Sequence, residues 1–565
     1  MASLTLPRSG YALPGTSLHF KTGSWRVQKP LHHHRNAPCH AACPAGEDAQ
    51  AYLAQMDEGH PEAAWKILAG VNPLPAVTGR VCHHPCETAC NRSHYDEAVA
   101  IHHVERFLGD EAIRHGWRYP VSRPKRSAPQ AAVVGAGPAG LSAAYHLIRL
   151  GYQAILFDQL PEAGGILRTA LPAYRLPRDI LDAEIERLLG TGVHFHPQHK
   201  LGRDMSLDEL RADYAAVFLA PGNQQSREWS IDGAVQRDLH VGLDLLQEWV
   251  AVGTVPHIRS AAIVGGGNTA VDLSRILKRA GVTDVHVVTH QALPGVEAAH
   301  DAAMSAIPRE ITQAIEEGVI FHPYRGIRRL ILRGEKVVGI ELVHMKKLSR
   351  ENGESRTVAF EGTETVLHVD QVIPAIGQEI DPAGMESLLR QQPFLTVDAW
   401  GQIAGQSNVF GGGDARQHST GTVSGAIGDG RRAAIAIDNL FRAQDAPASG
   451  GETPLPFDRI NLHYYERAPR QTAGALPVDA RKGCEEIEQG LSANQVSQEA
   501  RRCFSCGNCL ACDNCWTLCP DEAVLKTQEL ARDGSHYIFD YDYCKGCGLC
   551  AQECPCGFIV MEEEL

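Results

Sequence analysis

The sequence predicts an α/β fold built on two Rossmann-like nucleotide-binding domains, with a helical domain before them and a small α+β domain after them. Three observations carry that prediction. Two apolar strands, 130 residues apart, each run into a glycine-rich turn and a helix. Two cysteine runs of identical spacing recur near the C-terminus. All 17 cysteines lie in residues 39–90 or 484–556, so the nucleotide units between them contain no thiol.

The first unit reads Ala131-Ala-Val-Val-Gly135-Ala-Gly137-Pro138-Ala139-Gly140, then a helix to Arg149 and a strand from Gln153 to Phe157 that ends at Asp158. Glycines allow the tight turn and the close approach of a pyrophosphate. The helix N-terminus attracts its charge, and the acid suits ribose hydroxyls. A chance glycine turn explains neither the second strand nor its terminal acid. The second unit reads Ala261-Ala-Ile-Val-Gly265-Gly-Gly267-Asn268-Thr269-Ala270-Val-Asp272, followed by a strand from Val285 to Thr289. Tyr214 to Gly222, with Ala220 before its last two residues, and Asp370 to Gly377 read as strands returning between the units. Another strand ends in Gly413-Asp414, and Gly421-Thr422-Val423 opens a helix through Leu440. In flavin reductases of this general class such an acid holds the ribityl chain, and such a helix end faces the flavin pyrimidine. The first unit is therefore read as an FAD site and the second as a site for NADH or NADPH.

Cys509, Cys512, Cys515 and Cys519-Pro520 fit C-x2-C-x2-C-x3-C-P, as do Cys544, Cys547, Cys550 and Cys554-Pro555. In this two-cluster ferredoxin pattern three thiolates cap one [4Fe-4S] cube and the fourth crosses to the other. The expected sets are Cys509, Cys512, Cys515 and Cys554 for one cluster, and Cys544, Cys547, Cys550 and Cys519 for the second. Paired zinc sites would require no terminal Cys-Pro. Cys503 and Cys506 form a further C-x2-C; they, Cys484 and Cys556 receive no role. Without a redox cysteine pair beside the flavin, electrons must leave it through clusters.

Cys39, Cys43-Pro44, Cys82, Cys86 and Cys90 complete the inventory. Their order resembles the small subunit of bacterial glutamate synthase and its relatives, which include the flavin half of dihydropyrimidine dehydrogenase and the large subunit of the electron-bifurcating NADH-dependent ferredoxin:NADP oxidoreductase. Gly164-Gly165, Leu171-Pro172-Ala-Tyr174-Arg175-Leu176-Pro177 and the Gly265–Asp272 run carry the same resemblance. It implies disulfide-reductase-like FAD and NAD(P) domains. It adds Gly165, Leu167, Arg175, Ala220, Gly222, Gly377 and Asp272 to the cofactor-binding residues, the flavin N5 being the reactive atom. It also implies an N-terminal [4Fe-4S] cluster on Cys43, Cys82, Cys86 and a non-Cys ligand at Glu105. A four-Cys alternative draws in Cys39 or Cys90. The family carries two more cysteines just before Cys39 and a second N-terminal cluster; here that stretch is Leu31-His-His-His-Arg35, so one N-terminal cluster is expected. NADPH-using members end the strand of the second unit in an Arg pair. This chain has Thr289-His290-Gln291, which leans the expectation to NADH. The C-terminal clusters point to the fused branch serving dissimilatory sulfite reductase, benzoyl-CoA reductase or 2-oxoacid:ferredoxin systems. A glutamate synthase small subunit and a non-catalytic electron-transfer scaffold are the alternatives.

The organisation read from these motifs is a helical iron–sulfur domain over 1–125, an FAD domain over 130–255 and 365–442, an NAD(P) domain over 256–364, a linker over 443–500 and a ferredoxin domain over 501–565. No apolar run approaches the ~20 residues that span a bilayer, and the first thirty residues lack a signal-peptide core. A cytoplasmic location is expected. Net charge is −14, of which −8 falls in residues 503–565. That disfavours nucleic acid and suits docking of a basic partner surface, on a ferredoxin or an iron–sulfur or siroheme enzyme. A solvated acidic face is the plainer alternative. A homodimer is a further expectation.

Overall fold

The computed structural model describes residues 21–231, 239–295, 303–334, 336–349, 355–445, 453–529 and 535–564. The glycine-rich stretch at 446–451, expected to open a linker, lies outside them.

Two parallel sheets form the centre. The first has the strand order Val409–Gly411, Ala216–Leu219, Gln130–Val134, Gln153–Phe157 and His194–His196. Its strands are short and, apart from the edge strand His194–His196, buried, as parallel strands covered by helices are. The second has the order Gln371–Pro374, Ser260–Val264, Asp284–Val288 and Ile320–His322. In the first sheet the downstream strand Val409–Gly411 returns beside Ala216–Leu219, and in the second Gln371–Pro374 returns beside the glycine-turn strand, so the second unit is inserted into the first. The inserted unit carries a three-stranded antiparallel meander, Arg325–Arg333, Lys336–Ser349 and Ser355–Leu367.

The N-terminal region is a set of short helices, four of them opened by a proline (Pro38, Pro61, Pro75, Pro85). Proline suits that place because the first amides of a helix need no partner within it. Tyr52, Trp65, Leu68 and Leu108 pack this region and are fully buried. Helices Pro75–Val81 and Ile101–His115 touch backbone to backbone: a Cβ on Gly79 would lie 2.4 Å from the Arg106 amide, and one on Gly109 would lie 2.2 Å from that of Ala76. That approach carries Cys82 towards Glu105.

Residues 453–500 form a strap over the molecule rather than a free linker. Leu455 donates its amide to Asn36 at 3.1 Å, and Ile487 donates to Tyr174 at 3.1 Å. Glu486 pairs with Arg80 at 2.8 Å and Glu488 with Arg309 at 2.6 Å. The apolar pattern of this segment is irregular; Leu455, Ile487, Leu491 and Val496 are buried, and the ion pairs to Arg80 and Arg309 add to that hold.

The C-terminal module has a two-stranded hairpin, Val524–Lys526 with Tyr537–Phe539, and two single-turn helices. Its last strand, Ile559–Glu563, pairs antiparallel with Gln28–His32 from the far end of the chain. Arg26 clamps the same junction, reaching Glu564 at 2.9 Å and the Tyr541 carbonyl at 2.7 Å.

Candidate redox site

A cleft of about 1400 Å³ runs between the two sheets. On the first sheet, Gly135 turns with φ 101°, and a Cβ there would strike the Ala220 carbonyl at 2.1 Å. Gly137, Pro138 and Ala139 line the cleft at the start of the helix Pro138–Arg149, whose first turn has no side-chain cap. Uncapped amides at a helix start form an anion site. Asp158 lines the cleft and accepts from the amides of Ala136 at 2.6 Å and Leu160 at 2.8 Å. Burial pushes its pKa up against those bonds. Gly165, Ala220 and Gly222 follow along the same wall, and Asn223 leaves a buried Oδ1 without a partner. Gly413, Asp414, Thr422 and Val423 close this half. Asp429 holds the Gly413 turn, accepting from its amide at 3.0 Å. Thr422 caps the helix Val423–Arg442.

The second half repeats the plan. A Cβ on Gly265 would meet the Ala375 carbonyl at 2.3 Å, and Gly267 leaves the helix Asn268–Arg279 uncapped. Thr269 accepts from Gln378, the neighbour of Gly377, at 3.0 Å. Asn268 reaches His83 of the N-terminal region at 3.2 Å. Thr289, His290 and Gln291 line the far end, and Arg325 lines it with them. The Arg325 amide donates to the Thr289 carbonyl at 2.9 Å. A guanidinium is thus at hand where the local sequence offered none.

Four expected cofactor residues lie behind the cleft wall. Arg175 and Asp272 pair with each other at 2.7 Å, both buried, with Glu310 at 3.4 Å from Arg175. Their charges pair with one another, and neither side chain lines the cleft. Leu167 is a core residue at 2% exposure. Gly140 is a packing glycine, whose Cβ would strike the Gly135 carbonyl.

The N-terminal thiols fall into two groups. Cys43, Cys82 and Cys86 are buried beside Glu105, and burial with neighbouring charge pushes each thiol up. Asn72 bridges Glu105 at 2.9 Å and Glu47 at 2.8 Å. Three thiols and a carboxylate converging away from bulk solvent are a donor set suited to a metal cluster. The Cys82 thiol reaches the Ser424 hydroxyl at 3.4 Å, one residue from Val423 in the cleft wall. Cys39 and Cys90 stand apart from this group and face Cys503 and Cys506 instead.

In the C-terminal module, one small cavity is lined by Cys509, Cys512, Cys515 and Cys554, with Cys556 beside Cys554 at 3.8 Å. Another is lined by Cys519, Cys544, Cys547 and Cys550. The fourth cysteine of each run lies in the cavity of the opposite run. Cys484 is exposed.

Residues 129–430, more than half of the chain, match the model for pyridine nucleotide-disulphide oxidoreductases. The chain belongs to that family. In this oxidoreductase, residues 32–117 match dihydropyrimidine dehydrogenase domain II with its 4Fe-4S cluster, and residues 537–560 match a 4Fe-4S binding domain. It is 33% identical over 508 residues to the NADP(+)-dependent formate dehydrogenase subunit beta of Moorella thermoacetica, covering 83% of this chain and 70% of that one. It is 31% identical over 531 residues to the NADPH-Fe(3+) oxidoreductase subunit beta of Geobacter sulfurreducens, covering 85% and 77%. The glutamate synthase (NADPH) small chain of Escherichia coli is 31% identical over 433 residues, covering 72% and 88%. The protein is an NAD(P)H-dependent iron–sulfur flavoprotein oxidoreductase, with FAD and [4Fe-4S] clusters as its cofactors. No helix among the described residues is long and apolar enough to cross a membrane.

Proposed function

We propose that this oxidoreductase exchanges electrons between NADPH, bound over the second sheet, and a redox partner docked at the acidic C-terminal module. The observation that carries the reading is the single cleft joining both glycine turns, with Cys82 one hydroxyl away from its wall. FAD supplies the conversion of a two-electron hydride into single electrons, which [4Fe-4S] clusters carry one at a time.

The chain's own residues bind and orient. The helix start at Gly137 and Pro138 receives the flavin pyrophosphate, and Asp158 the adenosine ribose. Asp414 holds the ribityl chain. The first turn of Val423–Arg442 lends partial positive charge to the pyrimidine end. The Gly265–Gly267 turn receives the nicotinamide nucleotide. Arg325 stands where the 2′-phosphate would lie, which favours NADPH over the NADH expected from Thr289-His290-Gln291 alone. Cys43, Cys82, Cys86 and Glu105 hold the cluster nearest the flavin, and the two crossed cysteine sets hold the C-terminal pair. No side-chain acid or base is needed for hydride transfer.

The partner belongs to the class served by the fused branch: a ferredoxin, or an iron–sulfur or siroheme enzyme. The relatives from Moorella and Geobacter are beta subunits, which favours a place as the nucleotide-side subunit of a larger assembly. Anaerobic titration of the holoprotein with NADPH and with NADH tests the reading. Bleaching of flavin and then cluster absorbance is expected, at lower NADPH than NADH. Absorbance unchanged by either nucleotide in FAD-loaded protein refutes it and favours an electron-transfer scaffold.

A further inference from the structure

Cys503 and Cys506 are still without a task. They lie on the loop between the helix Ala493–Arg501 and the ferredoxin runs, folded back on the N-terminal region. Arg35 donates its amide to the Gly507 carbonyl at 3.3 Å, and Arg92 its guanidinium to the Arg502 carbonyl at 2.7 Å. Asn91 donates to Cys506 Sγ at 3.5 Å. Asn91 and Arg92 directly follow Cys90. Cys506 and Cys39 pack in one apolar cluster around Ala37 and Phe504. Cys39 lies within electrostatic reach of Cys503, Cys90 and Cys506, and Cys503 within reach of Cys506 and Cys90. Four thiols from three distant parts of the chain therefore converge.

The backbone gives an independent observation. Ser505 (φ 49°) and Gly507 (φ 76°) flank Cys506 in the left-handed region. Ala511 (φ 52°) and Asp513 (φ 66°) flank Cys512 in the same way, and Gly546 (φ 73°) and Gly548 (φ 77°) flank Cys547. Side-chain-bearing residues adopt this region rarely, yet Ser505 and Ala511 do so at the same step of C-x2-C. The Cys503–Cys506 loop thus has the turn of the two ferredoxin loops, down to an amide of Ser505 that points at Cys503 Sγ from 3.4 Å.

Sulfur spacing separates a cube from a single ion. Tetrahedral zinc, with Zn–S of about 2.3 Å, sets its sulfurs about 3.8 Å apart. Among the described residues, the set that brings three His, Cys, Asp or Glu ligand atoms within 4.8 Å of one another is His102, His103 and Glu488, and no cysteine belongs to it. No three of the four thiols therefore come within 4.8 Å of one another, a wider set than a single zinc ion gathers.

We propose that Cys39, Cys90, Cys503 and Cys506 bind a further [4Fe-4S] cluster. Its place suggests a relay. Cys39 and Cys43 are one helical turn apart on Pro38–Ala42 and its C-cap, and Cys506 is three residues from Cys509. The site stands between the flavin-side group and the ferredoxin groups. In each step one electron passes, the donor site being oxidised and the acceptor reduced; no proton moves, and NAD(P)H is the source. This relay role rests on the proposed function, while the metal site does not.

Anaerobically prepared full-length protein is assayed for iron, zinc and FAD per chain, with EPR spectra after dithionite reduction. Four cubes give about 16 irons. Cys503→Ser/Cys506→Ser falls to about 12, with FAD and nucleotide-driven flavin bleaching intact. Cys90→Ser removes the same EPR signal, and Cys484→Ser removes none. An iron count unchanged in the double variant overturns the proposal, as does a zinc ion in the wild type that the variant loses. Should the double variant shed FAD as well, Cys90→Ser decides: the signal lost supports the site, the signal kept overturns it. About 16 irons in a protein that neither nucleotide reduces would end the proposed function and leave this site standing.

Discussion

Replacing Arg325 by alanine tests how the cleft distinguishes nucleotides. Arg325 is half-buried at the end of the second unit's strand, tied by its amide to Thr289. Hydrogen bonds to a charged group contribute about 1.5–3 kcal/mol. Half exposure places Arg325 at the lower end of that range, because water screens the pair. About 1.4 kcal/mol is a factor of ten. Arg325→Ala should therefore weaken NADPH binding about tenfold, while NADH, which lacks the 2′-phosphate, shifts by less than about twofold. Arg325→Lys keeps the charge but loses the planar fork, and should fall between. Raising the salt concentration should narrow the gap between wild type and Arg325→Ala for NADPH alone. Stopped-flow bleaching of the flavin under anaerobic conditions, over a series of nucleotide concentrations, gives both dissociation constants. Equal losses for the two nucleotides, or no loss for either, would refute the assignment and restore the preference for NADH.

Other perturbations have defined outcomes. A Cβ on Gly428 would lie 2.0 Å from the Pro44 carbonyl, where the flavin-side helix meets the Cys43 loop. Gly428→Ala gains about 1 kcal/mol of helix propensity but costs about 1–3 kcal/mol in overpacking; a lower melting temperature and slower cluster reduction at an unchanged rate of flavin reduction are expected, and a variant more stable than wild type would contradict the close approach. Asp414→Ala should weaken FAD retention by roughly tenfold to a hundredfold, from one lost charge-assisted bond, read as flavin remaining after gel filtration. Cys519→Ser should abolish the EPR signal that Cys544→Ser abolishes, and leave the one that depends on Cys509. Asp96 accepts from Arg92 at 2.6 Å and Arg502 at 3.1 Å. Burial raises its pKa, but the Arg92 guanidinium and the Ala468 and Glu97 amides outweigh burial and hold it well below the carboxylate range. A depressed folded value means stability present above the unfolded pKa of about 3.9 and lost as pH falls through the folded one. The stability difference between wild type and Asp96→Asn should hold constant from pH 7 to pH 5 and shrink only below about pH 4.

What the sequence disclosed was whatever short spacing encodes. Both glycine turns, Asp158, Asp414 and the crossed ferredoxin sets depend on neighbours within a few tens of residues, and each lines its cleft or cavity. Arg175, Leu167 and Asp272 do not line the cleft, because a motif records packing as faithfully as ligand contact; their side chains are buried behind the wall. Arg325 and the partners of Cys39 were missed for the opposite reason. A strand crossover and a fold-back of the chain bring them in, and no local pattern marks either. The C-x2-C of Cys503 and Cys506 was visible, but its destination was not. The strap over 453–500 resembled a linker because its buried apolar residues, among them Leu455, Ile487, Leu491 and Val496, are scattered rather than periodic, and ion pairs complete its hold.

The pairing of Gln28–His32 with Ile559–Glu563 bears on how the molecule is made. The early strand lacks its pairing strand until Ile559–Glu563 has been made, so it waits while the intervening residues are synthesised. The central sheets draw on residues 130–411 and can mature first, as units completed earlier in synthesis do. Closure of this two-stranded sheet then comes after the central sheets have formed. A nascent chain stalled before residue 559 would hold folded nucleotide domains with the Gln28–His32 strand still unpaired.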